Sequence, residues 1–292
     1  MKVSGFTFIR NAEKFDYPIV ESIKSILPIV DEFVVLHGQS DDETLKLLQS
    51  IESDKVKIFD SVWNDSLRKG GKVLAAETDK AFQKIAEDSD WAFYLQADEV
   101  IHEKYHAVIV KAMADNLDND EVEGLLFRYK HFYGSYDYVG DSRRWYRNEI
   151  RIIRNNKEIC SYRDAQGFRK NYKKLKVRKI DACVYHYGWV KSPELQKAKT
   201  DFFPSLYHGE NTEKKKSYSE ESFDYSTIDS LALFSESHPK VMEKRIAAKN
   251  WDFSFDPTKK NFSLKTRFLN LIEQFFNYRI AEYKNYKLLK NS

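Results

Sequence analysis

Residues 90 to 103 read DWAFYLQADEVIHE. The apolar run Trp91, Ala92, Phe93, Tyr94 and Leu95 is long enough for a buried strand, and it stops abruptly at Gln96, Ala97, Asp98 and Glu99. Polar side chains therefore gather at the carboxyl end of that strand, the edge of an open α/β sheet where ligands sit. Carboxylates at such an edge, in a chain with two cysteines, point to a hard divalent cation, Mn2+ or Mg2+, shared between protein and phosphate oxygens. The competing reading is local: Asp98 and Glu99 cap a helix that follows, since acids favour a helix amino end.

Working outward, strand and helix patterns alternate four times within a hundred residues. Val3 to Ile9, Glu32 to Leu36 and Val56 to Phe59 are short apolar strands. Between them Ile19, Val20, Ile23, Ile26, Leu27 and Val30 recur at helical spacing, with Pro18 at the first turn and Pro28 at the stop; Leu45, Leu47, Leu48 and Ile51 mark a second helix. Leu74, Ala81, Phe82 and Ile85 mark a third, after a loop through Trp63, Asn64, Arg68, Lys69, Gly70 and Gly71. This alternation predicts a mostly parallel sheet with helices on both faces. Lys69 to Lys72 do not make a phosphate loop of the G-x-x-x-x-G-K-[ST] kind.

The segments VVLHGQSDDET and LQADE resemble the second-strand turn and the D-x-D metal motif of family 2 glycosyltransferases of the GT-A fold. SGFTFIRN and GGKVLAAETDKAF are similar to that family's first strand and turn and to the helix before its metal motif, so the resemblance runs in order through most of residues 1 to 105. It departs from the family where His37 stands for an acid that meets the base and where Gln96 replaces the first Asp of D-x-D. What it implies is a Rossmann-like GT-A domain over residues 1–190 and a hexosyltransferase-like enzyme that moves a sugar from a nucleotide diphosphate donor to a glycan or other hydroxyl acceptor, metal-assisted and inverting. On that reading Arg10, Asn11, His37, Ser40, Asp42, Lys72, Gln96 and Ala97 hold the nucleotide sugar, and Asp98 and His186 hold the metal. The rivals are a nucleotidyltransferase and a glycan- or nucleotide-binding protein that has lost catalysis, the latter suggested by Gln96.

Composition narrows the classes. The 292 residues carry 48 basic against 45 acidic side chains, a net charge of +3, which is no nucleic-acid signature. Cys160 and Cys183 make neither a disulfide scaffold nor a zinc site. No apolar run reaches the roughly 20 residues of a membrane span. The expectation is a cytoplasmic protein with access to a membrane surface.

Beyond residue 105 the sequence predicts a helix over Tyr105 to Ala114, strands over Leu125 to Phe132 and Ile150 to Ile153, and between them an aromatic and basic loop with Tyr133, Tyr136, Tyr138, Arg143, Arg144, Trp145, Tyr146 and Arg147. Such a loop suits a sugar ring, a nucleic acid, or ordinary hairpin packing. Asp164, in the turn SYRDAQGFRKN, is the favoured acceptor-deprotonating acid, ahead of Glu149 and Asp141; a turn aspartate bonding its own backbone is the local alternative. His186 follows a strand over Ala182 to Tyr185. From 191 to 292 a helical carboxy-terminal extension is expected. It carries a charge run over Glu213 to Lys216, a helix through Ile228, Leu231 and Phe234, and a long amphipathic helix from Ser263 to Lys290. The apolar stripe of that last helix suits its own domain or a homodimer partner, and its basic residues permit docking on anionic lipid.

Overall fold

The computed structural model describes residues 1–67, 69–208, 222–276 and 279–290. Arg68 and the charge run Glu213 to Lys216 lie outside the described residues. The first hundred residues form β1 (Val3–Ile9), α1 (Ile19–Ile26), β2 (Glu32–Gly38), α2 (Thr44–Gln49), β3 (Val56–Ser61), α3 (Lys72–Gln83) and β4 (Trp91–Tyr94). β1 pairs in parallel with both β2 and β4, and β2 with β3, so the order is β3, β2, β1, β4. The α/β alternation expected from the sequence is thus present, with the turns after these strands opening on one edge.

Alternate residues of the strands enter two different cores. Phe33, Val35, Trp91, Phe93, Leu95 and Phe127 face α1, through Ile19, Ile23 and Ile26. Phe6, Val34, Leu36, Ala92, Tyr94 and Leu126 face α3, through Ala81 and Phe82. Because both faces are covered, these strands read as continuous apolar runs.

After β4 the chain makes β5 (Glu99–Ile101), α4 (His106–Asp115), β6 (Gly124–Tyr133), β7 (Ser135–Gly140) and β8 (Asn148–Arg154). Asp98 and Glu99 cap no helix, because Glu99 opens a strand that pairs with a later one at His186. β8 runs antiparallel between β4 and β6. Next come β9 (Ile159–Tyr162), β10 (Gly167–Lys170), β11 (Lys173–Lys174) and the long β12 (Lys176–Trp189), which lies parallel along β6. β6 bonds β8 over Gly124 to Arg128 and β7 at Phe132 and Tyr133.

The carboxy-terminal part contains α5 (Pro193–His208), β13 (Leu231–Leu233), α6 (Glu243–Ala247), α7 (Leu264–Phe276) and β14 (Lys287–Leu288). It is less helical than expected. Leu231 lies in a strand bonded to β7 instead of in a helix. The expected helix to Lys290 is helical only to Phe276: Ala281 is left-handed at φ 58°, and Lys287–Leu288 joins β12 as a parallel strand. α7 also turns its apolar stripe outward, with Leu264 84% and Phe275 81% exposed, while Glu273 on its polar side is gripped by Arg143, Arg147 and Arg279. Among the described residues no helix is long and apolar enough to cross a membrane.

Phe93 is fully buried at the centre of the sheet, so Phe93→Ala is expected to destabilise the fold by about 3–5 kcal/mol. Urea unfolding followed by circular dichroism measures this, and a loss below about 1 kcal/mol is inconsistent with that placement.

Candidate active site

The neighbouring acids Asp98 and Glu99 go separate ways. Glu99 turns inward and takes two bonds from Arg151, Nε to Oε2 and Nη2 to Oε1, both 2.7 Å. The Tyr129 hydroxyl donates to Oε1 at 2.8 Å and the Gln96 amide to Oε2 at 3.0 Å. Every lone pair of this buried carboxylate has a donor in reach, so it is a fixed anchor for the turn after β4. Removing one partner of such a pair costs about 3–5 kcal/mol, because the other charge is left buried alone.

Asp98, one residue earlier, faces the other way. Its carboxylate enters a cavity of about 650 Å3 at the carboxyl ends of β1 and β4. Oδ2 lies 3.7 Å from His186 Nε2 and 3.4 Å from Lys199 Nζ. A Cβ on Gly188 would stand 2.5 Å from that oxygen, so only glycine admits the carboxylate there. Lys199, on α5, also donates to the Gly188 carbonyl at 2.9 Å. A second buried ammonium, Lys191, donates to the Asp16 carbonyl at 2.5 Å, and the two lysines lie 4.8 and 4.9 Å from the centre of the Tyr17 ring. Burial pushes the Asp98 carboxyl up, but His186, Lys199 and Lys191 outweigh it and hold the group at about 2. Burial, with the charge of Lys199, pushes Lys191 down to about 7.

The histidines have a defined proton order. His131 Nε2 sits 2.8 Å from the Tyr146 carbonyl, which only accepts, so that nitrogen carries the proton and Nδ1 is left as acceptor. His186 Nδ1, 3.3 Å from it, must then donate, leaving Nε2 as the nitrogen turned to Asp98. Burial pushes His131 down to about 3, keeping it neutral. Burial favours the neutral form of His186, and in that form its Nε2 lone pair and the carboxylate 3.7 Å away fit two positions on one hard cation whose remaining ligands would be phosphate oxygens and water. Among the described residues no third His, Cys, Asp or Glu joins them. Gln96 and Ala97 line the same cavity.

Asp164 reaches the cavity from the hairpin of β9 and β10. Its neighbours Arg163 and Ala165 are left-handed, at φ 58° and 62°, a conformation that costs such residues energy. The tip of the hairpin therefore holds Asp164 over Gly71, where a Cβ would lie 2.6 Å from the Asp164 Cβ, and Tyr207 donates to its Oδ2 at 2.9 Å. Of the competing acids, Asp141 takes Lys260 at 2.6 Å and does not line the cavity. Glu149 does line it, but burial pushes its carboxyl up to about 8, so at neutral pH it carries the proton a base would have to accept.

The other expected binding residues divide. Arg10 lines the cavity with its guanidinium 5.6 Å from the Trp63 ring, and its Nε has no partner among the described residues. Asn11, His37, Ser40 and Asp42 stitch the turns after β1 and β2 together and are not among the residues lining the cavity. Asn11 accepts from the Asp41 amide and donates its own amide to Ser40, both 3.0 Å; His37 contacts Asp60 and Ser40; and Asp42 accepts from the amides of Lys14 and Thr44. Lys72 is exposed at the start of α3, outside the cavity lining. The aromatic and basic loop mostly packs: Tyr133, Tyr136 and Tyr138 are buried, and only Tyr146 of its aromatic residues lines the cavity. Lys191, Lys199, Tyr17, His131 and Tyr207 escaped the sequence reading. Among these, the lysine spacing of α5 gave no signal that one ammonium would face inward.

No family model and no curated protein matches the chain. Among solved structures it is similar to S. aureus TarS, at 17% identity and TM-score 0.39 over 70% of this chain and 39% of that one. It is similar to TarS 1-349 at 16% identity and TM-score 0.36, covering 70% of this chain and 65% of that one. A third is glucosyl-3-phosphoglycerate synthase from Mycobacterium tuberculosis in complex with Mn2+, uridine-diphosphate and phosphoglyceric acid, at 17% identity and TM-score 0.29 over 45% and 43%. The likeness is one of fold. The chain spans 39 to 65% of the length of these structures, and the chemistry below rests on its own residues.

Glu149 gives a pH signature. Its folded-state pKa of about 8 lies above the usual 4.5, so between those values the folded state binds more protons than the unfolded one. The stability this contributes is complete below about 4.5 and is lost as pH rises through about 8. Glu149→Gln keeps the neutral shape, and its melting temperature is expected to gain on wild type as pH is raised from 5 to 8.5. A constant difference across that range is inconsistent with a buried, protonated Glu149.

Proposed function

We propose that this chain is a glycosyltransferase that moves a sugar from a nucleoside diphosphate donor to an acceptor hydroxyl with inversion at the anomeric carbon. The observation that carries the reading is one cavity at the carboxyl edge of β1 and β4. It combines a cation-rich cluster around Asp98 with Asp164, presented on a separate strained hairpin. These are the two demands of sugar transfer: charge stabilisation for a departing diphosphate and a base for an arriving hydroxyl.

Arg10 and the Trp63 ring supply charge and an aromatic face at the end of β1 for the nucleotide part of the donor. Lys199 and Lys191 provide positive charge where the diphosphate becomes more negative as the bond to the anomeric carbon breaks. When bound, a divalent cation held by Asp98 and His186 would neutralise further charge on the same leaving group. Asp164 accepts the proton of the acceptor hydroxyl as its oxygen bonds the anomeric carbon, while the donor oxygen leaves with the electron pair of the broken bond. The apolar walls, including Phe203 and Trp189, limit water in competition with the acceptor.

A thermal-shift screen of UDP, GDP, CDP and dTDP sugars with Mn2+ tests the donor. A ligand at 100 times its Kd is expected to stabilise by about 2.7 kcal/mol, and a flat response to all of them overturns the reading. With the responding donor, Asp164→Asn is expected to lower turnover by about 10²–10⁴-fold while the melting temperature and donor affinity hold. A loss of less than about tenfold removes Asp164 from the role of base.

A further inference from the structure

We propose that Lys199 makes divalent-cation binding at Asp98 conditional on a diphosphate being present. This rests on the reading of the cavity as a nucleotide-sugar site and assigns to its cation cluster a control over the order of assembly.

The argument is one of charge at close quarters. The cavity wall around Asp98 holds one carboxylate against the ammonium of Lys199 at 3.4 Å, with Lys191 beside it on the same tyrosine ring and the Arg10 guanidinium elsewhere in the lining. Of the other charges nearby, Glu99 and Arg151 cancel in their own bidentate pair, Asp164 offsets Arg10 in the lining, and Arg245, close to Lys191, is paired with Asp16 and Glu21. Without ligand, Lys199 therefore already neutralises the Asp98 carboxylate and occupies one approach to the oxygen that a metal would need. A dication entering alone meets a like charge a few ångströms away, in surroundings where screening is weak. A diphosphate changes the balance. It gives Lys199 an anionic partner to replace Asp98, adds oxygens for the cation, and brings more negative charge than the lysines offset.

Lys199 is well built for such an exchange. It reaches Asp98 from a helix beyond the sheet, its second bond is to the Gly188 carbonyl, and its ammonium lies 4.9 and 5.5 Å from the ring centres of Tyr17 and Phe203, so a long unbranched side chain can carry the charge between oxygens without the helix moving. By linkage, whatever the diphosphate adds to metal affinity the metal adds to diphosphate affinity. The lysine increases that mutual dependence by weakening the metal-only complex.

The test measures Mn2+ binding directly, by electron paramagnetic resonance of free Mn2+, on the full chain with and without saturating nucleoside diphosphate taken from the screen above. Wild type is expected to bind Mn2+ at least about tenfold more tightly with the diphosphate than without it. Lys199→Met is expected to tighten Mn2+ binding in the absence of nucleotide by about tenfold or more, shrinking the difference, and Lys199→Arg to restore wild-type behaviour. Lys199→Gln, which keeps a donor for the Gly188 carbonyl, serves the same purpose where the methionine variant folds poorly. If the methionine and glutamine variants bind Mn2+ alone within twofold of wild type, or more weakly, the control by Lys199 is overturned and the transferase reading stands. If neither Mn2+ nor any nucleoside diphosphate binds in any combination, both fall together.

Discussion

The site depends on the ion pair between Glu99 and Arg151. Both groups are fully buried, and a buried pair of this kind is no clear gain in stability over apolar residues of the same size. Its consequence is geometric. By committing Glu99 to four inward hydrogen bonds, the pair fixes the turn after β4 and leaves the preceding side chain, Asp98, only the cavity to enter. The same constraint sets β5, whose Glu99 pairs with His186 on β12, so that a single register brings the imidazole beside the carboxylate. Two residues far apart in sequence thus meet because one buried salt bridge ties the strand ends together.

Around that geometry the chain concentrates positive charge in a place of low polarity. Two buried lysines share one tyrosine ring, and the carboxylate between them and His186 stays ionised against the cost of burial. Such an arrangement is poorly satisfied on its own and is relieved by an anionic ligand, which is why it reads as a binding device more than as a structural one. The acid on the other hairpin follows the opposite logic. Asp164 is held at the tip of its hairpin between two left-handed neighbours, with Gly71 and Tyr207 packed against it.

The carboxy-terminal part is woven into this domain. β13 extends the sheet at β7, β14 pairs with β12, and Arg147 binds Glu282 through Nε and Nη2 at 2.7 Å each. Tyr286 packs into the core with Phe168 and Val177. The residues beyond 190 are therefore part of what holds the cavity walls, with α5 supplying Lys199 and Tyr207 to the cavity directly.

The sequence by itself determined the parallel half of the sheet, because strands covered on both faces must be continuously apolar and the helices between them must repeat every three to four residues. It also determined that Asp98 lies in the turn after a strand's carboxyl end, and such turns are where a parallel sheet exposes its ligands. It did not determine which of two adjacent acids faces the cavity, since Asp98 and Glu99 differ only in where Arg151 lies, 52 residues onward. Nor did it distinguish the turn residues Asn11, His37, Ser40 and Asp42, which bond one another, from Arg10, which faces the cavity. Lys199 was hidden for the same reason. A lysine among charged helix residues looks solvated, and only the packing of α5 over Gly188 and Tyr17 turned one ammonium inward, because contacts between distant segments carry no local pattern.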